Sequence, residues 1–583
     1  MRLPFLQPIP SSRQVVEEFR GYNHNLRIGD GEFFDMKNIT SDYYPILSPR
    51  GQRGVYVKGG QYTGMIAKDA LCYIDGETLY INKNPVTGLK LEHGDKPTQL
   101  ISMGAYIIIL PDKKWVNTKD QSFGDIEATY TVGEASYTMC KLDGTDYDYT
   151  QIYKGDSAPE NPDNLTLWID TSATPHSLKQ YSADTSVWTA IATTYVQISA
   201  TGIGSNFKQY DAVKISGLPD ELKDMDNTTC VLWDVKQDSI VIVGLLEEAI
   251  DNYDKKTLSV QRTMPEMDFV IEANNRLWGC FYGIKNGQVV NEIYCSKLGD
   301  FKNWECYMGI STDSWAASVG TDGQWTGAIT HLGYPLFFKE NYLHKVYGNY
   351  PANFQIQTTE CNGVEKGSGK SLAIVNTTLF YKGRSGIYAY DGSLPVGMAH
   401  ALGNEAYSNA VGGAVGNKYY VSMESVSSGN FNLFVFDAQK SLWHKEDDDL
   451  QVDAFCSCDG ELYAIVGGDA IITMLGSGTP DLSPVEWMAE TGDIGLSRPD
   501  SKYISRLNLR MQMDLNSEIY ISIRYDFNEA WEQVAYLKGD RLQSFTIPII
   551  PKRCDSMRLR IEGMGDVKIY SITKTIEGGS DLP

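Results

Sequence analysis

Apolar and polar positions alternate with period two over much of this chain, in short runs punctuated by Gly, Asn and Asp. Residues 334–347 read YPLFFKENYLHKVY, two apolar runs either side of the polar break KEN, with a glycine beyond each flank. That order predicts two antiparallel strands joined by a tight turn, because alternation suits a half-buried strand and a small polar break suits the reversal. The same order returns in LCYIDGETLYI (71–81), RLWGCFYGIKNGQVV (276–290), TLFYKGRSGIYAY (378–390), VGNKYYVSMESVSSGNFNLFVF (415–436) and ELYAIVGGDAIITM (461–474). Between about 269 and 474 these hairpins recur every 40 to 55 residues, near the repeat of a four-stranded propeller blade.

Residues 55–125 alternate similarly, in VYVKGG and QLISMGAYIIILPDKKWVNT, and supply the first one or two blades. About 130 residues from near 127 then interrupt the recurrence with strand runs of their own, such as NLTLWIDTS and TTCVLWDVKQDSIVIVGLLEEAI. They are too many for a loop and predict a small β-rich domain inserted between blades, whose ends must lie close together. Pro480 and Ser483-Pro484, after the glycine-rich MLGSGTP, mark a further boundary. The strongly alternating SRLNLRMQMD, SEIYISIRYD, QSFTIPII and SMRLRIEGMGDVKIYSITKTI follow it, and the final residues from about 577 read as a frayed tail. The expected chain is all-β: an N-terminal arm and propeller entry (1–54), first blades (55–126), inserted domain (127–255), remaining blades (256–480) and a C-terminal β-sandwich (485–577). The propeller has six or seven blades.

Composition agrees with strands: 36 Tyr, 11 Trp and 54 Gly in 583 residues, a length that calls for several cores. The formal charge of -23, with no lysine or arginine tract, disfavours generic binding to nucleic acid or an anionic membrane, although it does not report a local basic groove. Ten cysteines are scattered without a dense framework. Cys456 and Cys458 share one face of a strand but have neither zinc spacing nor a redox CxxC, so they read as buried thiols of a protein folded in a reducing compartment. The N-terminus lacks a long apolar signal core, and no run reaches 18 apolar residues, so neither secretion nor a membrane span is expected.

Chemical motifs are weak. Asp143, Asp146 and Asp148 in LDGTDYDY offer oxygens to a hard cation, but the calcium loop's terminal glutamate is missing, and a solvated turn is simpler. GVEKGSGKS (363–371) has five residues where a phosphate loop has four between its glycines, and strand sequence follows where a helix is needed. His331 and His344 have no neighbouring metal or nucleophile motif. The sharpest charged cluster is Glu446, Asp447, Asp448 and Asp449 in LWHKEDDDL, preceded by His444; such runs usually decorate a loop.

Residues 29–54, with Asn38 and the segment Pro49, Arg50, Gly51, resemble the opening of bacteriophage tail and head-to-tail proteins of the propeller type. The hairpins of 327–392, clearest at Gly386-Ile387-Tyr388 and Asp391-Gly392, and the closing strands at Arg506–Arg510 and Arg558–Gly563, resemble the same group, which includes podophage nozzle and packaged-DNA stabilisation proteins. The resemblance implies a structural, non-enzymatic virion protein of the tail nozzle or head-to-tail connector. It would form a ring with itself and contact portal, adaptor or tail proteins while DNA passes during ejection. It would reside in the virion tail after assembly in the host bacterial cytoplasm, and no catalytic residue, metal or cofactor is expected. Asn38, Arg50, Gly51, His444, Glu446, Asp447, Asp448 and Asp449 are then structural or docking positions. The alternative is a host-glycan-binding tail module that stacks sugars on Trp and Tyr, and a third reading is a propeller-type glycosidase.

Overall fold

The computed structural model describes residues 11–93, 96–480, 483–496, 502–526, 530–539 and 542–578. Among them, strands are joined by turns and short 3-10 segments, and the fold is all-β. The hairpin at 334–347 forms as its pattern predicts, Tyr334–Lys339 pairing antiparallel with Tyr342–Tyr347 and Phe338 standing opposite Leu343. Period two sends its side chains to two different cores. Phe337 and Val346 pack toward the sheet at 269–318, while Leu336, Phe338 and Leu343 pack toward the sheet at 373–397. Each such buried Leu or Phe contributes about 1.5–3 kcal/mol.

This hairpin is the centre of a four-stranded antiparallel sheet, Gly327–His331, Tyr334–Lys339, Tyr342–Tyr347 and Gln355–Glu360, in chain order. Four-stranded sheets of the same order span 62–85, 99–125, 269–318, 373–397 and 407–447. The sheet at 452–473 ends differently: its strand Ala470–Thr473 pairs antiparallel with Gly54–Lys58, from far upstream. The first strands lie against one another in order, from Tyr62–Lys68 through Gln99–Met103 and Phe269–Ala273 to Gly327–His331. From there the 3-10 turn Gly369–Ser371 and Ala373–Val375 lead on to Tyr407–Val415 and Val452–Cys458, which returns to Tyr62–Lys68. The arrangement is propeller-like.

Between the sheets at 99–125 and 269–318 run three further sheets. The ends of this stretch are zipped together, Ala128–Val132 pairing with Leu258–Arg262 so that Ala128 faces Arg262, seven residues past the expected boundary at 255. Its core gathers Tyr137, Val196, Ile198, Val213, Ile240 and Val260.

The closing strands form two sheets, and both take strands from the N-terminus. Ser11–Val16 pairs with Val567–Gly578, and Glu32–Lys37 pairs with Glu486–Thr491. The strands Ser11–Val16 and Glu32–Lys37, inside the expected arm, are therefore part of these sheets, and Phe33 and Met36 join Trp487, Leu509, Ile521 and Ile561 in one buried cluster. That cluster continues into Phe434, Phe436 and Trp443 of the sheet at 407–447. Glu577, where the expected sandwich ends, lies in the strand Val567–Gly578; residues 579–583, like residues 1–10, lie outside the described residues. Among the described residues no helix is long and apolar enough to cross a membrane.

Candidate functional site

The charged cluster at 444–449 is largely a buried seam. His444 to Asp447 belong to the strand Leu442–Asp447, not to a loop, and only Asp448 and Asp449 follow it. Burying these charges requires partners, and they come from far upstream. Arg53 Nη1 lies 2.8 Å from Asp447 and Nη2 lies 3.4 Å from Glu446. Lys445 Nζ lies 2.6 Å from Asp35 and 2.8 Å from Asp448. Burial opposes the charge on Lys445, but these two carboxylates outweigh it and hold its pKa above the ordinary lysine value. Asp449 is an exposed residue whose N–H donates to Asp447.

His444 is buried with its Nε2 3.8 Å from Glu446, beyond hydrogen-bond reach, and burial pulls its pKa down. Asn38, in the left-handed region at φ 55, donates to the carbonyl of Glu486 and accepts from Arg50 Nε, while Arg50 Nη1 donates to the carbonyl of Gly51. Burial, then the neighbouring Arg53, pull Arg50 down to about 10. The eight predicted positions thus lie where the N-terminal strands cross the sheet at 407–447: Arg53 takes up Glu446 and Asp447, Lys445 takes up Asp448 and Asn38 takes up Arg50, while neither ring nitrogen of His444 has a hydrogen-bond partner.

The other sequence candidates also serve local structure. Asp143 accepts from the N–H of Thr145, and Asp148 accepts from both the N–H and Oγ1 of Thr150, so they fix turns. His331 faces the carbonyl of Thr377, and His344 is buried between sheets. A strand, Ala373–Val375, follows GSGKS, as the pattern requires. All ten cysteines are free thiols, and among the described residues no three His, Cys, Asp or Glu side chains gather as a metal set.

A cleft of about 840 Å³ opens where the inserted stretch meets the sheets at 99–125 and 269–318. One wall is aromatic. Trp115 stands opposite Gly124, whose missing side chain lets the indole lie across the neighbouring strand; a Cβ there would come within 3.1 Å of the ring. Tyr106 meets Trp115 edge-on at 5.5 Å and Phe301 at 5.1 Å between centroids. The indole N–H donates to the carbonyl of Asp125. Lys302 Nζ lies 4.6 Å from the centre of the Trp115 ring.

The floor of the cleft is a satisfied buried network. Asn303, 1% exposed, donates to Asp211 and Asp300 and accepts from the N–H of Ala212. Asp211 pairs with Arg262, whose Nε donates to the carbonyl of Ile126. These bonds join the insertion to the sheet at 269–318, and a satisfied polar network of this kind is rigid. At the rim, Asp125 pairs with Lys114 at 2.8 Å and Glu127 with Lys113 at 2.9 Å. Burial, then the charges of Arg262 and Lys208, pull the pKa of Lys302 down. Sequence reasoning missed all of these residues, because segments 106–129, 205–211 and 299–302 share no local motif; the only pointer is that the insertion begins directly after the Trp115 hairpin.

No protein-family profile matches the chain, and no curated protein does. Solved structures do. An exo-beta-1,3-galactanase from Phanerochaete chrysosporium, bound to galactose, is 8% identical with a TM-score of 0.21, over 52% of this chain and 94% of its own. The extracellular domain of a putative hybrid two-component system from B. thetaiotaomicron is 9% identical with a TM-score of 0.21, over 91% and 94%. A family 43 arabinoxylan arabinofuranohydrolase from Bacillus subtilis, in complex with cellotetraose, is 7% identical with a TM-score of 0.16, over 68% and 92%. Such likeness assigns neither an activity nor a site residue to this chain.

None of these structures is a phage tail, nozzle or connector protein, and other matches are again glycoside hydrolases. The expectation of a virion component is set aside on that finding. With it go the non-enzymatic role, the portal, adaptor and tail partners, DNA passage and ejection, and residence in a virion tail.

Proposed function

We propose that the chain is a carbohydrate-recognising propeller protein whose saccharide site is the cleft lined by Trp115. In this reading the propeller has seven blades. The strand Gly54–Lys58 closes the ring by completing the last blade, which removes the free sheet edge an open array would expose. The stretch 127–262 is an insertion between the second and third blades, and the two closing sheets form a β-sandwich that includes the N-terminal strands.

The observation that carries the reading is the cleft itself: concave, large enough for several sugar units, walled by Tyr106, Trp115 and Phe301, and rimmed by polar groups on a rigid floor. Aromatic faces suit the apolar C–H faces of sugar rings, and convergent polar groups suit hydroxyls. The test is an array of oligosaccharides probed with the intact chain and with Trp115→Ala, each bound sugar then being incubated and assayed for new reducing ends. Binding that falls at least about tenfold in Trp115→Ala is expected. Reducing ends released by the intact chain and lost in Glu127→Gln would make the cleft catalytic as well. No binding, or binding that ignores Trp115, would overturn the assignment.

A further inference from the structure

We infer that the saccharide taken by this cleft is acidic, its carboxylate or sulfate held between Lys208 and Lys302 while a sugar ring packs beside Trp115. The inference rests on the saccharide reading of the cleft, and adds its charge.

The cleft's acids are already engaged. Asp125 has Lys114, Glu127 has Lys113, and Asp211 has Arg262 and Asn303. Asp300 accepts from Asn303 and from the N–H of Lys302. The two lysines are different. Neither Lys208 nor Lys302 has a carboxylate within salt-bridge distance of its ammonium among the described residues. Lys302 is half-buried, and its ammonium has only the Trp115 and Phe301 rings beneath it. Burial, then Arg262 and Lys208, disfavour its charge more than Asp300 and Asp211 favour it, and those two carboxylates are already engaged by Asn303 and Arg262.

A chain with a formal charge of -23 has carboxylates to spare, yet Lys208 and Lys302 both line the cleft with no carboxylate in salt-bridge range among the described residues. An anion bound there completes both, and the aromatic wall beside them discriminates a ring-bearing anion from a simple ion. Lys302 also covers one face of the indole, so a ligand's anionic group that draws the ammonium aside uncovers a stacking face for the ring behind it. A neutral sugar has nothing to draw it with.

The experiment uses the intact chain on an array of oligosaccharides matched in linkage and length, in neutral, uronic-acid and sulfated forms, at low and at 0.5 M salt, roughly the range over which exposed charge attraction is screened out. Binding is expected on the uronic or sulfated members, and which of the two forms is bound identifies the anion. It should drop about tenfold or more in Lys208→Gln/Lys302→Gln and at high salt, and survive in Lys302→Arg. Lys208→Gln alone, at an exposed side chain, keeps the test valid should the double variant fold poorly. Acidic sugars bound equally by the lysine variants would overturn the inference. Neutral sugars bound through Trp115 with no gain from charge would overturn it and leave the saccharide reading standing, whereas an array with no binding would overturn both.

Discussion

Acidification from pH 7 to 4 will destabilise the sheet at 327–360 through His344, and replacing that residue by leucine will remove the effect. His344 is 0% exposed and sits edge-on to Trp325 at 5.0 Å between centroids. Its Nε2 is 2.9 Å from Thr321 Oγ1, and its Nδ1 has no partner. Burial, then the nearby Lys339 ammonium, lower its pKa from 6.5 to about 4. Lys339 and Cys280, which face it, keep their protonation state over this window. Lys339, bonded to Asn291 and the carbonyl of Thr321, is pulled by burial only to about 8 and stays cationic, with Asp322 favouring that charge. The buried thiol of Cys280 from the facing sheet is pushed up and stays neutral.

Because the folded pKa lies below the unfolded value, the unfolded chain takes up the proton first. Stability from this residue is intact above pH 6.5 and is lost as pH falls from there to about 4. At about 1.4 kcal/mol per pH unit the loss totals about 3 kcal/mol. Hydrogen exchange on peptides spanning 327–360, at several pH values and corrected for intrinsic rates, reads this locally. The carboxylates titrate alike in both proteins, so the stability difference between His344→Leu and the parent should move by about 3 kcal/mol in the variant's favour between pH 7 and 4. A difference that stays constant across the range would refute the reasoning.

Arg53→Met leaves Glu446, 4% exposed, without its guanidinium and should cost about 3–5 kcal/mol in calorimetric unfolding, part of it recovered by adding Glu446→Gln; a double variant no better than the single one would contradict the pairing. Gly363→Ala would place a Cβ 1.9 Å from the carbonyl oxygen of Lys339, at the tip of the 334–347 hairpin, and should cost about 2 kcal/mol or more. An unchanged thermal midpoint would show that the backbone there yields freely. Ile471→Ala, at a fully buried position opposite Val57, should cost about 2–5 kcal/mol and raise hydrogen exchange in residues 54–58, since those residues pair with its strand. Unaltered protection at 54–58 would argue that the strand is held by something other than that pairing.

The parts of this molecule that were legible in the sequence are those whose partners are near in the chain. In 334–347 the alternation reports both faces of the hairpin, Phe337 to one core and Phe338 to the next, and the turn lies between the two runs. VYVKGG predicts a strand equally well, but nothing in it says that its partner is Ala470–Thr473, because period two fixes a face and not a neighbour. The pairing of Ser11–Val16 with Val567–Gly578 was hidden for the same reason. Charge is subject to the same limit. The run at 446–449 was visible, yet its burial depends on Asp35 and Arg53, roughly 400 residues upstream, and no local count of acids reveals them. Two of the features behind the phage resemblance belong to turn chemistry: Asn38 supplies a left-handed residue, and Asp391 caps the N–H and Oγ of Ser393. Any sheet that turns this way needs such residues, so they identify a hairpin and are silent about function. The cleft proposed as the saccharide site has no such local signal, since Trp115, Lys208 and Lys302 come from three segments that no sequence pattern connects, and only the fold brings them together.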